Sequence, residues 1–246
     1  MSIRAFILHS GGIDSSTCLA RAVKELGKEN VLSVGVNYGQ RHIREADFAD
    51  DFADHYGVDR IIINMSQPPK SMLTDDQSKI PDSSYADLPH GISPTYVPFR
   101  NGSLLSRIAG IAQGWVMEQD ALYPRTKSKI AGMTAEAQIW FGAHAEDAQN
   151  WAYPDCTPEF VGAMAAAIYI GTYHRVRLIT PFIHNLKSEI VRLGTDMGVP
   201  YEKTWSCYAG GMQHCGTCPT CRARKGSFLE ADLIDPTVYT NTKEAA

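Results

Sequence analysis

Apolar, β-branched runs alternate with stretches of helical periodicity over the first 65 residues of the chain. "IRAFIL" (3–8), "VLSVGV" (31–36) and "RIIINM" (60–65) read as buried strands. Between them Leu19, Ala22, Val23 and Leu26 recur at helical spacing, as do Ala46, Ala49 and Ala53. Gly27 and Gly57 stand where such helices would stop. Strand and helix in strict alternation predict parallel strands joined by right-handed crossovers.

The second half continues the pattern. "LLSRIAGIAQGWVM" (104–117) predicts a core helix and "QIWFGA" (138–143) a strand. "PEFVGAMAAAIYI" (158–170) predicts a helix with proline in its first turn. "HRVRLITPF" (174–182) supplies a last strand, and "KSEIVRLGTDMG" (187–198) a helix ending at Gly198. Residues 66–95 read as a long polar loop, and 123–137 as a polar excursion before the strand. The closure this predicts is α/β: a doubly wound, mostly parallel five-stranded sheet, its ligand crevice at the carboxyl ends of the strands. A main domain over 1–203 precedes a small region, 204–246, where the composition turns to Cys, Gly and Thr.

With 44% hydrophobic and 20% charged residues in 246, the composition is that of an ordinary globular chain. A net charge of -4, from 23 basic against 27 acidic residues, argues against a surface built to embrace nucleic acid. The local basic runs "RTKSK" (125–129) and "RARK" (222–225) read as solvated faces or loops. "MSIRAFIL" is too soon interrupted for a signal peptide. The longest apolar stretch, "FVGAMAAAIYIG", has 12 residues where a membrane span needs roughly 20. A cytoplasmic protein is expected, and there thiols stay reduced.

That expectation changes how the six cysteines read. Cys207, Cys215, Cys218 and Cys221 follow the spacing Cys-x7-Cys-x2-Cys-x2-Cys, which suits a tetrahedral, structural Zn²⁺ rather than disulfides. His214 reads as a solvated loop histidine beside them, with a substitute metal ligand as the alternative, and Cys18 as a core residue.

Between the first strand and helix stands "HSGGIDSSTC" (9–18). Successive N–H groups at Ser10, Gly11 and Gly12, followed by a helix N-terminus, are suited to an anion. Ser15 and Ser16 add hydroxyl donors, and Asp14 reads as a Mg²⁺ ligand or a helix cap. The stretch lacks the lysine of a Walker loop and the Gly-x-Ser-x-Gly of a serine elbow. A capped helix start with a tight turn is the alternative on this stretch alone.

"SGGIDSS" resembles the PP-loop of the ATP pyrophosphatase superfamily, which splits ATP so that pyrophosphate departs. "WSCY" with the later "CGTCPTC" narrows the likeness. So do "NYGQRH" (37–42), "VPFRN" (97–101), "HAED" (144–147), "YPDCTPEF" (153–160), "KSEIVRLG" (187–194) and "PYEKTWSCY" (200–208). In that order they resemble the 7-cyano-7-deazaguanine synthase family.

The resemblance implies an ATP-dependent carbon–nitrogen ligase with ATP, Mg²⁺ and one structural Zn²⁺. Its substrates would be 7-carboxy-7-deazaguanine and ammonia, converted through an acyl-adenylate and an amide to the nitrile. The loop would hold ATP with Leu8, His9, Ser10, Gly11, Gly12, Ile13, Asp14, Ser15, Ser16, Thr17 and Cys18. Asp14, Arg41, Arg100 and Lys187 are the candidate catalytic groups. Tyr38, Gln40, Asn101, Glu146, Asp147 and Asp155 are the candidate substrate contacts, with Asp147 or Asp155 alternatively a helix cap. A homodimer is implied as well. A variant that stops at the amide or takes a related deazapurine, and a PP-loop tRNA-modifying enzyme, are the alternatives.

The chain departs from the family pattern in several places. Asn37 replaces an acidic residue, Phe99 stands where glycine is expected, and Thr157 replaces an arginine. "AQNWA" (148–152) makes the following link longer, and His9 is unusual before the loop.

Overall fold

The computed structural model describes residues 2–39, 44–65, 71, 73–74, 95–122, 135–209 and 211–240. β1 (Ser2–Leu8) lies at the centre of a five-stranded sheet. β2 (Val31–Asn37) and β3 (Asp59–Asn64) extend it on one side, β4 (Ala135–Trp140) and β5 (Val176–Ile179) on the other. Every pairing is parallel, with Ala5 opposite Val31 of β2 and Gln138 of β4. The doubly wound α/β expectation holds.

In β1, Ala5 and Ile7 point to one face and Phe6 to the other, and all three are buried. A strand covered on both faces carries a continuous apolar run, which is why this one shows no polar alternation. The face of Ala5 and Ile7 packs against α1 (Ile13–Leu26), α2 (Arg44–Tyr56) and two later helices, α5 (Lys187–Asp196) and α6 (Pro219–Glu230). Leu19, Phe52, Ile190 and Phe228 supply that layer. α3 (Arg100–Leu122) and α4 (Pro158–Gly171) cover the other face through Leu105, Ile108, Val161 and Ile168. Each such fully buried side chain contributes about 1.5–3 kcal/mol.

Several boundaries differ from the sequence reading. β4 begins at Ala135, inside the stretch read as polar, because Ala135 and Ala137 are small, fully buried strand residues. β3 is an edge strand, so Ile61 and Ile62 are 36% and 52% exposed rather than buried. α3 starts at Arg100 and runs to Leu122, longer at both ends than its apolar stripe. β5 keeps only Val176–Ile179, since residues 181–184 turn toward α5. The tracts 75–94 and 123–134 lie outside the described residues.

The strand order leaves β1 and β4 adjacent, with successive connections leaving in opposite directions. That switch point opens a crevice at the carboxyl ends of the strands. The C-terminal region is seated against it: the Trp205 N–H donates to the Gly11 carbonyl at 2.8 Å. Arg224, in the run read as solvated, is fully buried and donates to the Tyr201 carbonyl (2.9 Å), Thr204 Oγ1 (2.7 Å) and Asp235 Oδ1 (3.2 Å). Those acceptors make burial of its charge tolerable. Among the described residues no helix is long and apolar enough to cross a membrane.

Candidate active site and metal centre

The turn from β1 into α1 is shaped by Gly11, whose φ is +89°. A Cβ there would lie 2.6 Å from the Glu45 carbonyl oxygen and 3.0 Å from the Ala49 nitrogen, both backbone atoms of α2. Only glycine combines that backbone with that approach. Gly12 is the extended N-cap of α1, and among the described residues no side chain caps the helix, an arrangement suited to an anion at its first N–H groups. The serines draw the loop together: the Ser10 N–H and Ser10 Oγ each lie 3.2 Å from Ser15 Oγ.

Of the residues expected to hold the nucleotide, Leu8, His9, Ser10, Gly12, Asp14 and Ser15 line one cavity of about 450 Å³. The others sit behind that wall. Ile13 and Cys18 are core residues, and Thr17 Oγ1 bonds Tyr201 Oη at 2.9 Å. Ser16 Oγ lies 3.1 Å from His9 Nε2, and the other ring nitrogen of His9 lies 2.9 Å from Ser33 Oγ. His9 is thus a buried bridge from β1 to β2 and α1. Burial and the neighbouring Arg60 guanidinium lower its pKa to about 3, so it is neutral. Arg60 Nη1 in turn donates to the His9 carbonyl (3.1 Å) and Ser33 Oγ (2.8 Å).

Asp14 stands in the first turn of α1 but caps nothing. Its Oδ2 accepts from Lys187 Nζ at 2.7 Å and lies 3.7 Å from His144 Nε2. Burial opposes its ionisation, yet Lys187 and His144 outweigh it and hold the carboxyl well below the usual range. His144 itself is buried between Asp14 and Asp147, the latter 3.5 Å away. Desolvation works against its charge, but Asp147 and then Asp14 raise its pKa on balance. Glu146 accepts from the Lys187 backbone N–H at 2.7 Å, fixing the start of α5 beneath the loop.

Opposite the loop, Tyr38, Arg100, Asn101 and Asp147 line the same cavity. Arg100 Nη1 donates to Tyr38 Oη at 3.3 Å and its guanidinium stacks over that ring. Burial disfavours its charge, but Tyr38 and Tyr208 beside it more than compensate. Asp155 Oδ2 accepts from the Asn101 backbone N–H at 2.9 Å, so it caps α3 from a distant segment. Gln40 and Arg41 lie outside the described residues.

Three further departures have structural counterparts. Phe99, where glycine was expected, adopts φ +52°, a left-handed conformation that glycine takes without strain. Thr157 is the N-cap of α4, its Oγ1 accepting from the Phe160 N–H at 3.2 Å. Asn37 Nδ2 donates to Asn64 Oδ1 at 3.1 Å.

The Sγ atoms of Cys207, Cys215, Cys218 and Cys221 lie within 4.8 Å of one another. Backbone N–H groups of Ala209 and Cys215 point at the Cys207 sulfur (3.3 and 3.4 Å), and those of Thr217 and Cys218 at the Cys215 sulfur (3.4 and 3.3 Å). A tetrahedral ion with bonds of about 2.3 Å sets its sulfurs about 3.8 Å apart, so the cluster fits a metal ion. His214 is not a ligand, and neither is it solvated. It is 5% exposed, its Nε2 accepts from the Ser206 N–H at 3.0 Å, and its ring packs on Trp205 and meets Tyr239 edge-on.

Glu45, Arg60, His144, Tyr153 and Tyr208 belong to the site or its support and had no local signal in the chain. His144, Tyr153 and Tyr208 each lie inside a motif already singled out, and Glu45 three residues after one, which is the hint the sequence held.

A glycine- and serine-rich phosphate loop at the switch point, without a lysine and beside a four-cysteine metal centre, defines a nucleotide-activating α/β enzyme of the PP-loop class. Residues 4–232 match the family model described as "Queuosine biosynthesis protein QueC". The chain belongs to the QueC family of 7-cyano-7-deazaguanine synthases, ATP-dependent ligases. It is similar to the 7-cyano-7-deazaguanine synthase of Thermoplasma acidophilum, 39% identical over 96% of this chain and 92% of that one. The synthase of Persephonella marina is 37% identical over 94% of each chain, and that of Marinomonas sp. 34% over 97% and 99%.

Proposed function

We propose that the chain converts 7-carboxy-7-deazaguanine and ammonia to 7-cyano-7-deazaguanine, consuming ATP in two rounds of activation. The observation that carries this reading is the convergence of the phosphate loop, Arg100 and the Asp147 segment on one cavity at the switch point. A carboxylate oxygen is a poor leaving group, so ATP first converts it to an acyl-adenylate, and ammonia displaces AMP to give the amide. The amide oxygen is activated in the same way, and loss of AMP leaves the nitrile.

This chain's residues divide that work. The α1 N-terminus and the loop N–H groups face the phosphates of ATP, while Lys187 and Arg100, with Arg41, offset the charge that develops as pyrophosphate departs. Among the described residues nothing hydrogen-bonds the buried Asp14 Oδ1, an oxygen that fits Mg²⁺, whose chemistry is to stabilise the departing phosphates. Asp147 is the carboxylate suited to the N1–H and 2-amino donors of a guanine-like ring; Tyr38 and Asn101 line that side, Asp155 and Glu146 hold α3 and α5 beside it, and Gln40 is assigned to the substrate by the family resemblance alone. The thiolate cluster fits Zn²⁺, which would order the tail that holds Trp205 against Gly11.

A homodimer is supported by α4, where Val161 and Ile168 are buried while Ile170 is 68% exposed and the following Tyr173 82%. A cytoplasmic location is in keeping with unpaired cysteines throughout.

Incubation with ATP, ammonium and 7-carboxy-7-deazaguanine, followed by mass spectrometry, tests the reading. A 7-cyano product is expected. An amide as end product would replace it with the truncated reaction, and absence of AMP release would defeat it.

A further inference from the structure

The proposed reaction has a requirement that none of the groups assigned so far meets. Nitrogen enters as ammonium and leaves as a nitrile, so it sheds all four of its protons on the way. One must go before attack, because ammonium has no lone pair. A second leaves the tetrahedral adduct, and two more leave as the triple bond forms. A base near neutrality must therefore face the reacting carbon.

The described groups around the cavity are poor candidates, with one exception. Arg100 and Lys187 are cations. Asp14 is ion-paired to Lys187, and its carboxyl is held well below the usual range. His144 is buried between two carboxylates that favour its protonated form, and it does not line the cavity. His9 has both ring nitrogens hydrogen-bonded, and burial with Arg60 lowers its pKa to about 3. Asp147 lies against His144.

The exception is Glu45, in the first turn of α2. Its half-buried side chain lines the cavity together with Asp14, Arg100, Asp147 and Tyr208, and its own carbonyl is the atom against which Gly11 packs. The approach of α2 that demands glycine in the loop therefore also carries this carboxylate to the phosphate site. We propose that Glu45 is the general base of the ammonia steps. This rests on the nitrile-synthesis reading above.

In the first round ammonium gives a proton to the Glu45 carboxylate and becomes ammonia. Its lone pair forms the C–N bond at the acyl-adenylate carbon, and the adduct loses a second proton. The C–O bond to AMP then breaks, its electron pair staying on the phosphate oxygen. Glu45, half-buried, returns each proton to water between steps. In the second round it takes the protons of the activated amide as the C–O bond breaks again. The charged and titratable groups facing it are Arg100 from α3, Tyr208 from the cysteine region and Tyr38 at the end of β2. Burial raises the Glu45 pKa to about 7 despite Arg100, which suits a group that must take up and release protons near neutrality.

The test uses the full-length enzyme with its metal, measuring pyrophosphate release and amide formation separately in single turnovers. Glu45→Gln is expected to retain pyrophosphate release with 7-carboxy-7-deazaguanine while amide formation from ammonium falls on the order of 10²–10⁴-fold. Hydroxylamine, already unprotonated at neutral pH, should restore acyl transfer in the variant and yield the hydroxamate. In the parent, the rate at fixed ammonium should rise with pH and level off once Glu45 is ionised, whereas in Glu45→Gln it should keep climbing in proportion to free ammonia. Amidation by E45Q at the parent's rate overturns the proposal, and so does loss of pyrophosphate release or failure of hydroxylamine to rescue. Failure of the parent itself to release pyrophosphate overturns the nitrile-synthesis reading as well.

Discussion

Lys187 Nζ lies 2.7 Å from Asp14 Oδ2, which joins the first turn of α5 to the first turn of α1 across the floor of the phosphate site. The two residues are 173 positions apart, and the pair is partly buried. Removing the cation leaves Asp14 as an uncompensated carboxylate beside the place where phosphate charge develops. Lys187→Met is expected to slow pyrophosphate release on the order of 10²–10³-fold. Asp14→Asn should abolish ATP consumption while the metal content stays that of the parent. Unchanged turnover in either variant, measured by AMP formation, would remove the pair from the chemistry.

His9 makes folding stability depend on pH with a definite sign. Burial and Arg60 depress its folded pKa from the ordinary 6.5 to about 3, so the unfolded chain binds the proton more readily. Its contribution is fully present above about pH 6.5 and is lost as the pH falls toward 3, by up to about 1.4 kcal/mol per pH unit. Denaturant unfolding between pH 7 and 4 should show that loss. His9→Gln, which keeps a polar partner for Ser33 and Ser16, should flatten the curve; an identical slope would contradict the assignment.

Gly11→Ala places a methyl group against the Glu45 carbonyl in a left-handed residue. The conformation alone costs roughly 1–2 kcal/mol, and the clash with backbone adds to it. A drop in Tm of at least about 3 °C is expected for a chain of this size, together with weaker ATP binding in calorimetry. A variant with the parent's Tm and affinity would show that α2 does not set the loop.

Metal removal should act on the tail first and the phosphate site second. Chelation, or Cys218→Ser, is expected to cost several kcal/mol, seen as a Tm lower by about 10 °C or more. Because Trp205 ties the tail to Gly11 at 2.8 Å, ATP affinity should fall with it. Elemental analysis should give one zinc per chain, and full ATP binding by the metal-free form would uncouple the two sites.

The exposed α4 face makes the oligomer testable. The proposed dimer predicts that the parent sediments as a dimer in analytical ultracentrifugation and that Ile170→Glu sediments as a monomer at the same concentration. A dimer that survives the substitution would move the interface elsewhere.

Legibility along the chain followed contiguity. The loop from His9 to Cys18 and the four cysteines are each compact in sequence, and each reads as chemistry without further context. Elements whose character comes from neighbours were read less well. Ala135 and Ala137 are too small to announce a strand, yet they pair with Ser2 and Arg4 in the middle of the sheet. The apolar run of β3 reads as buried, but its place at the edge exposes it. His214 and Arg224 sit in a polar tail and read as solvated, whereas the metal region folds over them and supplies their hydrogen bonds.

The chain by itself determined the alternation of strand and helix, the phosphate loop, the metal ligands and the family. These depend on periodicity and on short spacings, which a linear code records directly. Tertiary structure alone decided which charges meet. Asp14 and Lys187 in one ion pair, His144 between two carboxylates, and Glu45 carried to the loop by the packing of α2 on Gly11 are contacts between distant segments. Their protonation states follow from burial and charged neighbours, and no single stretch of sequence encodes either.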